Sequence, residues 1–248
     1  MILEFPDMND FIVFMIAVGY AGLVIIIGDL LKRKANLDTG FTRKIIHIFA
    51  GMATFSIPYY THPWMAIFVA LIFVIILGLA NSNRFSSAFS AMARPEEIEQ
   101  GLLKGPFIYS ISITLLVSIF TLLDKTQYYF LAAIPLQIMY FGDGLAAPIG
   151  IKYGKHEWII NGSKRTLEGT MGLILFGFIG AIFAGWFFGI YNYGILTWQL
   201  LFFYSIIAII VAAILEFISP KGLDNFVLPI GTCVVLVFIA ILNGLLII

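Results

Sequence analysis

Charge is what this chain has least of. Asp, Glu, Lys and Arg together supply 11% of its 248 residues, against 61% hydrophobic side chains and a mean hydropathy of +1.01. That is too little polar surface to cover a soluble globule of this size, so the composition describes an integral membrane protein. The 14 basic and 14 acidic residues cancel, which excludes the overall basic field that would draw nucleic acid. A lone cysteine, Cys233, excludes an internal disulfide, and within its apolar run it reads as a small packing residue. The opening "MILEFPDMND" lacks the basic n-region of a signal peptide, so the first hydrophobic segment is expected to stay in the mature protein. No repeat, low-complexity linker or composition break divides the chain, and 1–248 reads as a single membrane domain.

What is present is a succession of apolar runs. Crossing roughly 30 Å of hydrocarbon at about 1.5 Å per residue takes about 20 residues, and eight segments approach that length. They lie at 10–31, 43–60, 63–80, 106–123, 127–150, 168–191, 197–217 and 226–248. The expected fold is therefore an all-α polytopic bundle of about eight transmembrane helices. Polar connections at 32–42, 81–105, 151–167 and 218–225 alternate with brief ones. Counting Arg43 and Lys44 with the first of these, all of the 14 Lys and Arg residues except Lys125 fall on the polar side. The positive-inside rule makes that side cytoplasmic and both termini exoplasmic. In the 81–105 connection, Pro95 is expected to open a short helix with Glu96, Glu97 and Glu99 in its first turn, and Phe85, Phe89 and Met92 precede it at helical spacing.

Ionisable groups at membrane depth cost a few kcal/mol or more unless hydrated, paired or metal-bound, so each marks a candidate site. In "MYFGDGLAAPIG" (139–150), Asp143 sits among small residues, and on a continuing helix it shares a face with Ala146 or Ala147, Gly150 and Gly154. Pro148 releases the carbonyl of Gly144 beside it. Small residues spaced by four also pack helices together, but a carboxylate among them points to a ligand. The next stretch, "KYGKHEWIINGSKRTLEGT" (152–170), holds Lys152, Lys155, His156, Lys164 and Arg165, with Gly154 and Gly162 for turns and Glu168 opening the next span. Cations and free amides at a helix N-terminus suit phosphate. Asp143 and Glu168 are hard oxygen ligands that suit Mg²⁺. Thr166 as N-cap and Glu168 as a first-turn acid are the purely structural alternative. In "TRKIIHIFAG" (42–51), Arg43, His47 and Gly51 share a stripe with Lys44 beside them, a basic entry to the second span that can hold a phosphate. Glu216, and Asp224 with Asn225 at the start of the last span, are further candidates, Asp224 reading first as an N-cap.

The run from Gly142 to Thr170 resembles the signature of the polyprenol kinase group, which includes dolichol, phytol and farnesol kinases and the CTP-dependent diacylglycerol kinase. Its Gly-Asp-small-x-Ala stretch matches Gly142, Asp143 and Ala146. The glycine-lysine segment matches Gly150, Gly154 and Lys155, and its Lys-Ser-x-Glu-Gly-Ser matches Arg165, Thr166, Glu168, Gly169 and Thr170. "RKIIH" is similar to the group's Arg-Lys-x-x-His element, and "DNFVLPIG" to its Asp-Asn-x-x-x-Pro element. The resemblance covers nearly the whole chain and implies a membrane kinase, with CTP or another nucleoside triphosphate as donor and a long-chain isoprenoid alcohol as acceptor.

On that resemblance the catalytic candidates are Asp143, Glu168 and His47, with Asp143 and Glu168 as ligands of Mg²⁺. Nucleotide and phosphate are expected at Arg43, Lys44, Gly150, Gly154, Lys155, Lys164, Arg165, Thr166, Asp224 and Asn225. The partners implied are the nucleotide, a membrane lipid alcohol and the bilayer, with the site on the cytoplasmic face. "KRTLEGTMG" also resembles phosphatidate cytidylyltransferases, but their downstream Pro-Gly-His-Gly-Gly stretch is replaced here by "SPKGLDNFVLPIG". A transporter or lipid-binding scaffold is the other alternative; its internal repeats and scattered mid-membrane polar residues are not seen in this sequence.

Overall fold

A computed structural model describes residues 4–34, 39–80, 91–92, 97, 103–220 and 222–246. The short helix expected after Pro95, with Phe85 and Phe89 before it, lies outside the described residues except for Met92 and Glu97. The described chain is helical throughout apart from one hairpin, and six of its helices are long and apolar enough to cross a membrane. Their bounds follow the apolar runs: Met8–Lys34, Lys104–Leu122, Thr126–Tyr153, Leu167–Asn192, Trp198–Ile218 and Asp224–Leu242. Large apolar side chains such as Ile174, Ile206, Ile210 and Phe238 face outward, the arrangement of a protein whose solvent is hydrocarbon. The protein is an integral membrane protein. Read from sequence as one bundle, the backbone gathers into two compact units, Met1–Asp124 and Lys125–Ile248.

The first unit holds α1 (Met8–Lys34), α2 (Thr39–Ala50), α3 (Ala66–Ala80) and α4 (Lys104–Leu122). The start of α1 is pinned by a reciprocal cap: the Asp10 amide donates to Asp7 Oδ1 at 2.9 Å, and the Asp7 amide donates to Asp10 Oδ2 at 3.0 Å. Asp10 also accepts the amide of His62 at 2.9 Å, tying the helix to the following loop. The run 43–60 is not one α-helix. It is α-helical to Ala50 and tightens into a 3₁₀ helix over Gly51–Tyr59. Within that turn Thr54 Oγ1 and Ser56 Oγ donate to the carbonyls of Gly51 and Ala53, three residues back, and Pro58 withholds its own amide.

The second unit is built around a helix buried on all sides. From Phe130 to Gln137 every residue of α5 is buried, as its apolar run from Phe130 to Leu136 predicts. A π-helical segment, Ile138–Asp143, then leads into α6 (Gly144–Tyr153). After the hairpin of β1 (Glu157–Ile160) and β2 (Ser163–Thr166) come α7 (Leu167–Ala184), α8 (Trp198–Ile218) and α9 (Asp224–Leu242), with a second π segment closing α7 at Gly185–Asn192. Between apolar helices in lipid, association depends on close backbone approach. A Cβ at Gly180 would lie 3.0 Å from the Gln137 carbonyl, and one at Gly142 would lie 3.0 Å from that of Leu173.

Candidate active site

In the second unit, α6 and α7 run antiparallel in contact, with Gly142 against Leu173, Ala146 against Gly169 and Gly150 against Thr166. That register puts Asp143, at the end of the π segment, about one turn (~6 Å) deeper than Glu168. Asp143 is 8% exposed. The row of small residues read as pointing to a ligand is taken up by this contact: a Cβ at Gly150 would lie 2.6 Å from Thr166 Oγ1, and one at Gly154 would meet the Gly150 carbonyl and Thr166. The helix does not continue through Gly154, whose extended ψ ends α6.

The segment expected as a flexible basic loop is a two-residue β-hairpin. Asn161 and Gly162 both take positive φ, 49° and 75°, which is the turn chemistry that Asn-Gly favours between paired strands. Lys164 is ion-paired with Glu157 at 2.8 Å on the exposed face. Its neighbour Arg165 points the other way, into a buried ion pair with Glu216 at the end of α8. Asn161 Nδ2 donates to the Ile218 carbonyl at 2.7 Å, and Trp158 packs on Phe217, so the hairpin is fastened to α8 from both sides.

The start of α7 is capped from within. Thr166 Oγ1 accepts the Gly169 amide at 3.0 Å, and the Leu167 amide donates to the His156 carbonyl at 3.0 Å. Two amides that the sequence reading left for an anion are therefore already in use. Glu168 Oε1 lies 2.8 Å from His156 Nδ1, and its Oε2 accepts the His156 amide at 3.4 Å. Lys155, beside His156, is exposed. On α9 the cap residue is Leu223, and Asp224, expected as the N-cap, stands one position further in, where its Oδ1 accepts the Asn225 amide at 3.1 Å. Asn225 is buried.

Two groups gain partners that no spacing rule supplied. His156 is brought to Glu168 because the hairpin folds its twelve-residue separation back on itself. Glu216 meets Arg165 across a gap of some fifty positions. The sequence signal for the first was the Asn-Gly turn between alternating strands; for the second there was only an acidic residue near the end of an apolar span.

Arg43, Lys44 and His47 lie in the first unit, where all three line one cavity. Lys44 is 7% exposed. The His47 ring packs on Tyr109 at 4.5 Å between centroids, and Tyr109 Oη donates to the His47 carbonyl at 2.6 Å.

No family model matches the chain, and no solved structure matches it. Curated relatives do. A phytol kinase of Synechocystis sp. is 30% identical over 233 residues, covering 89% of this chain and 88% of that protein. A probable chloroplastic phytol kinase 1 of Glycine max is 27% identical over 222 residues, 85% of this chain and 70% of its own. A probable chloroplastic phytol kinase of Zea mays is 23% identical over 233 residues, 89% and 73% respectively.

Proposed function

The chain belongs to the polyprenol and phytol kinase family, and on that premise we propose that it transfers the γ-phosphoryl group of CTP, or another nucleoside triphosphate, to a long-chain isoprenoid alcohol in the membrane. The observation that carries the reading is similarity to a phytol kinase along nearly the full length of both proteins. What supports it chemically is the register of α6 against α7, which sets Asp143 about one turn (~6 Å) below the acid- and base-bearing start of α7.

Phosphoryl transfer asks a protein for positioning and charge neutralisation more than for covalent chemistry. Asp143 and Glu168 offer the hard carboxylate oxygens that Mg²⁺ takes, one or two per ion, together with substrate phosphates. The donor set fits: Glu168 gives one oxygen to His156 Nδ1, and a carboxylate has lone pairs for a second partner. Bound there, the ion would supply charge neutralisation at the triphosphate. Lys155, Lys164 and Arg165 add positive charge from the hairpin and its approach. Arg165 is oriented by Glu216, and a guanidinium presents five donors in a fixed fork, so one ion pair aims it without exhausting it. The first-turn amides of Leu167 and Gly169 are engaged within the protein, so the phosphate charge falls to these cations. Arg43, Lys44 and His47 supply the basic element of the first unit, and the site is cytoplasmic by the distribution of Lys and Arg.

The test is purified protein in lipid with γ-labelled CTP or ATP and a panel of isoprenoid alcohols, diacylglycerol and phosphatidate. Labelled prenyl phosphate with release of CDP is the expected result. Release of pyrophosphate with formation of a CDP-lipid would instead make the protein a cytidylyltransferase.

A further inference from the structure

The first unit holds a partly open, largely apolar pocket lined by its helices. It is long rather than round. Its lining runs along α2 and the 3₁₀ helix from Arg43 to Ile57, along α3 from Ala66 to Leu77, and along α4 from Gly105 to Val117. At about 1.5 Å per α-helical and 2.0 Å per 3₁₀ residue, those stretches give a slot on the order of 20 Å.

Its two ends differ. Arg43, Lys44 and His47 stand at one, level with Leu77 and Gly105; Ile57, Ala66 and Val117 stand at the other. Along the walls the hydroxyls are turned away from the lumen's needs. Thr54 and Ser56 donate to carbonyls of their own helix, Ser110 Oγ donates to the Pro106 carbonyl at 3.1 Å, and Tyr109 donates to His47. The slot exists because Ala50, Gly51, Ala53 and Ala70 line it where larger side chains would fill it. An apolar slot with cations at one end matches a single lipid chain with a polar or anionic head group.

We infer that this slot holds the isoprenoid tail of the acceptor, hydroxyl towards Arg43, Lys44 and His47 and tail end towards Ile57, Ala66 and Val117, and that its length selects chain length. The inference rests on the lipid-kinase reading. An extended chain advances about 1.2 Å per bond, so the slot takes roughly four isoprene units.

The direct test uses the wild-type protein in nanodiscs with a geranylgeraniol analogue carrying a diazirine at its tail end, and mass-spectrometric mapping of the label. Label within 51–57, 66–70 or at Val117, displaced by excess geranylgeraniol and unaffected by added phosphatidylcholine, is expected. Label confined to 125–248, or displaced equally by phosphatidylcholine, overturns the proposal. In parallel, Ala53→Phe and Ala70→Phe narrow the slot and should each lower the ratio of kcat/KM for geranylgeraniol over geraniol at least tenfold; a ratio equal to wild type overturns it. Wild-type protein that phosphorylates no isoprenoid alcohol sinks the kinase reading instead, while the label map still decides the slot.

Discussion

Asp143 is the residue on which the proposed chemistry depends most. A carboxylate this buried in a membrane protein is retained against a desolvation cost, and metal-assisted phosphate binding is the use proposed here. Asp143→Asn keeps the shape and removes the charge, so labelled product should fall by about 100-fold or more with the unfolding temperature nearly unchanged. A variant that retained most activity would remove the carboxylate from the mechanism. Arg165 and Glu216 make a separate case. Breaking a buried pair by removing one partner costs about 3–5 kcal/mol, whereas replacing both with apolar groups is often neutral. Glu216→Leu should therefore destabilise strongly, and the double variant Arg165→Met/Glu216→Leu should regain stability. If Arg165 also faces phosphate, the double variant will still show a raised KM for nucleotide; a normal KM would make the pair structural only. His62 is a third test, on the opposite side by the charge rule. The Asp10 hydrogen bond, Nδ1 to Oδ2 at 2.6 Å, is the main cause that raises the imidazole above its ordinary 6.5; partial desolvation opposes it, and Glu4 and Asp7 add to it. A raised folded pKa contributes stability that is fully present below 6.5 and is lost as pH rises through the folded value. Thermal unfolding should weaken across that window in wild type and stay flat in His62→Gln; equal slopes would refute the clamp.

At the scale of elements, the contact between α6 and α7 is what holds the acidic and basic parts of the candidate site in register. Its glycines are not equivalent. A Cβ at Gly142 meets backbone, the Leu173 carbonyl at 3.0 Å and Gly177 Cα at 3.1 Å, and neither atom can yield without moving a helix. At Gly172 the clash is with the Cδ1 end of Ile149 at 2.6 Å, a side chain that can change rotamer. Gly142→Ala should cost about 1–3 kcal/mol and Gly172→Ala clearly less, read from unfolding temperatures in detergent. The reverse order would mean that this pair of helices is not packed as described. The hairpin is the element most readily missed in a membrane sequence, because its Asn-Gly turn lies in a basic connection where loops are the ordinary expectation. Once formed it does two things the loop reading could not supply: it separates Lys164 from Arg165 onto opposite faces, and it returns His156 to Glu168.

For the molecule as a whole, the proposed sidedness rests on Lys125 being the one Lys or Arg outside the polar connections and their edges. Cys233 is buried, which leaves a quiet background for introduced thiols. Ser163→Cys, in the hairpin, should react with a membrane-impermeant maleimide only from the cytoplasmic side, and Lys125→Cys only from the other. Labelling of both from one side would invert or break the topology. The division into units ending and starting at Asp124 and Lys125 left no trace in composition, because both units are made of the same lipid-facing helices and no polar linker is needed between them.

Reading without coordinates reached the membrane setting and, among eight expected spans, the six long ones, five of them to within a few residues, because hydrocarbon thickness and the scarcity of charge leave few other solutions; the family came from the resemblance of its motifs. It also singled out Asp143 and Glu168 as candidates, since a carboxylate at or near membrane depth stands out against its surroundings. It could not find the π segment at Asp143, the closure of the small-residue row by α7, or the partners of His156, Arg165 and Glu216. Nor could it find the apolar slot. Those depend on which surfaces meet across long sequence separations, and periodicity along one helix carries no information about what packs against it.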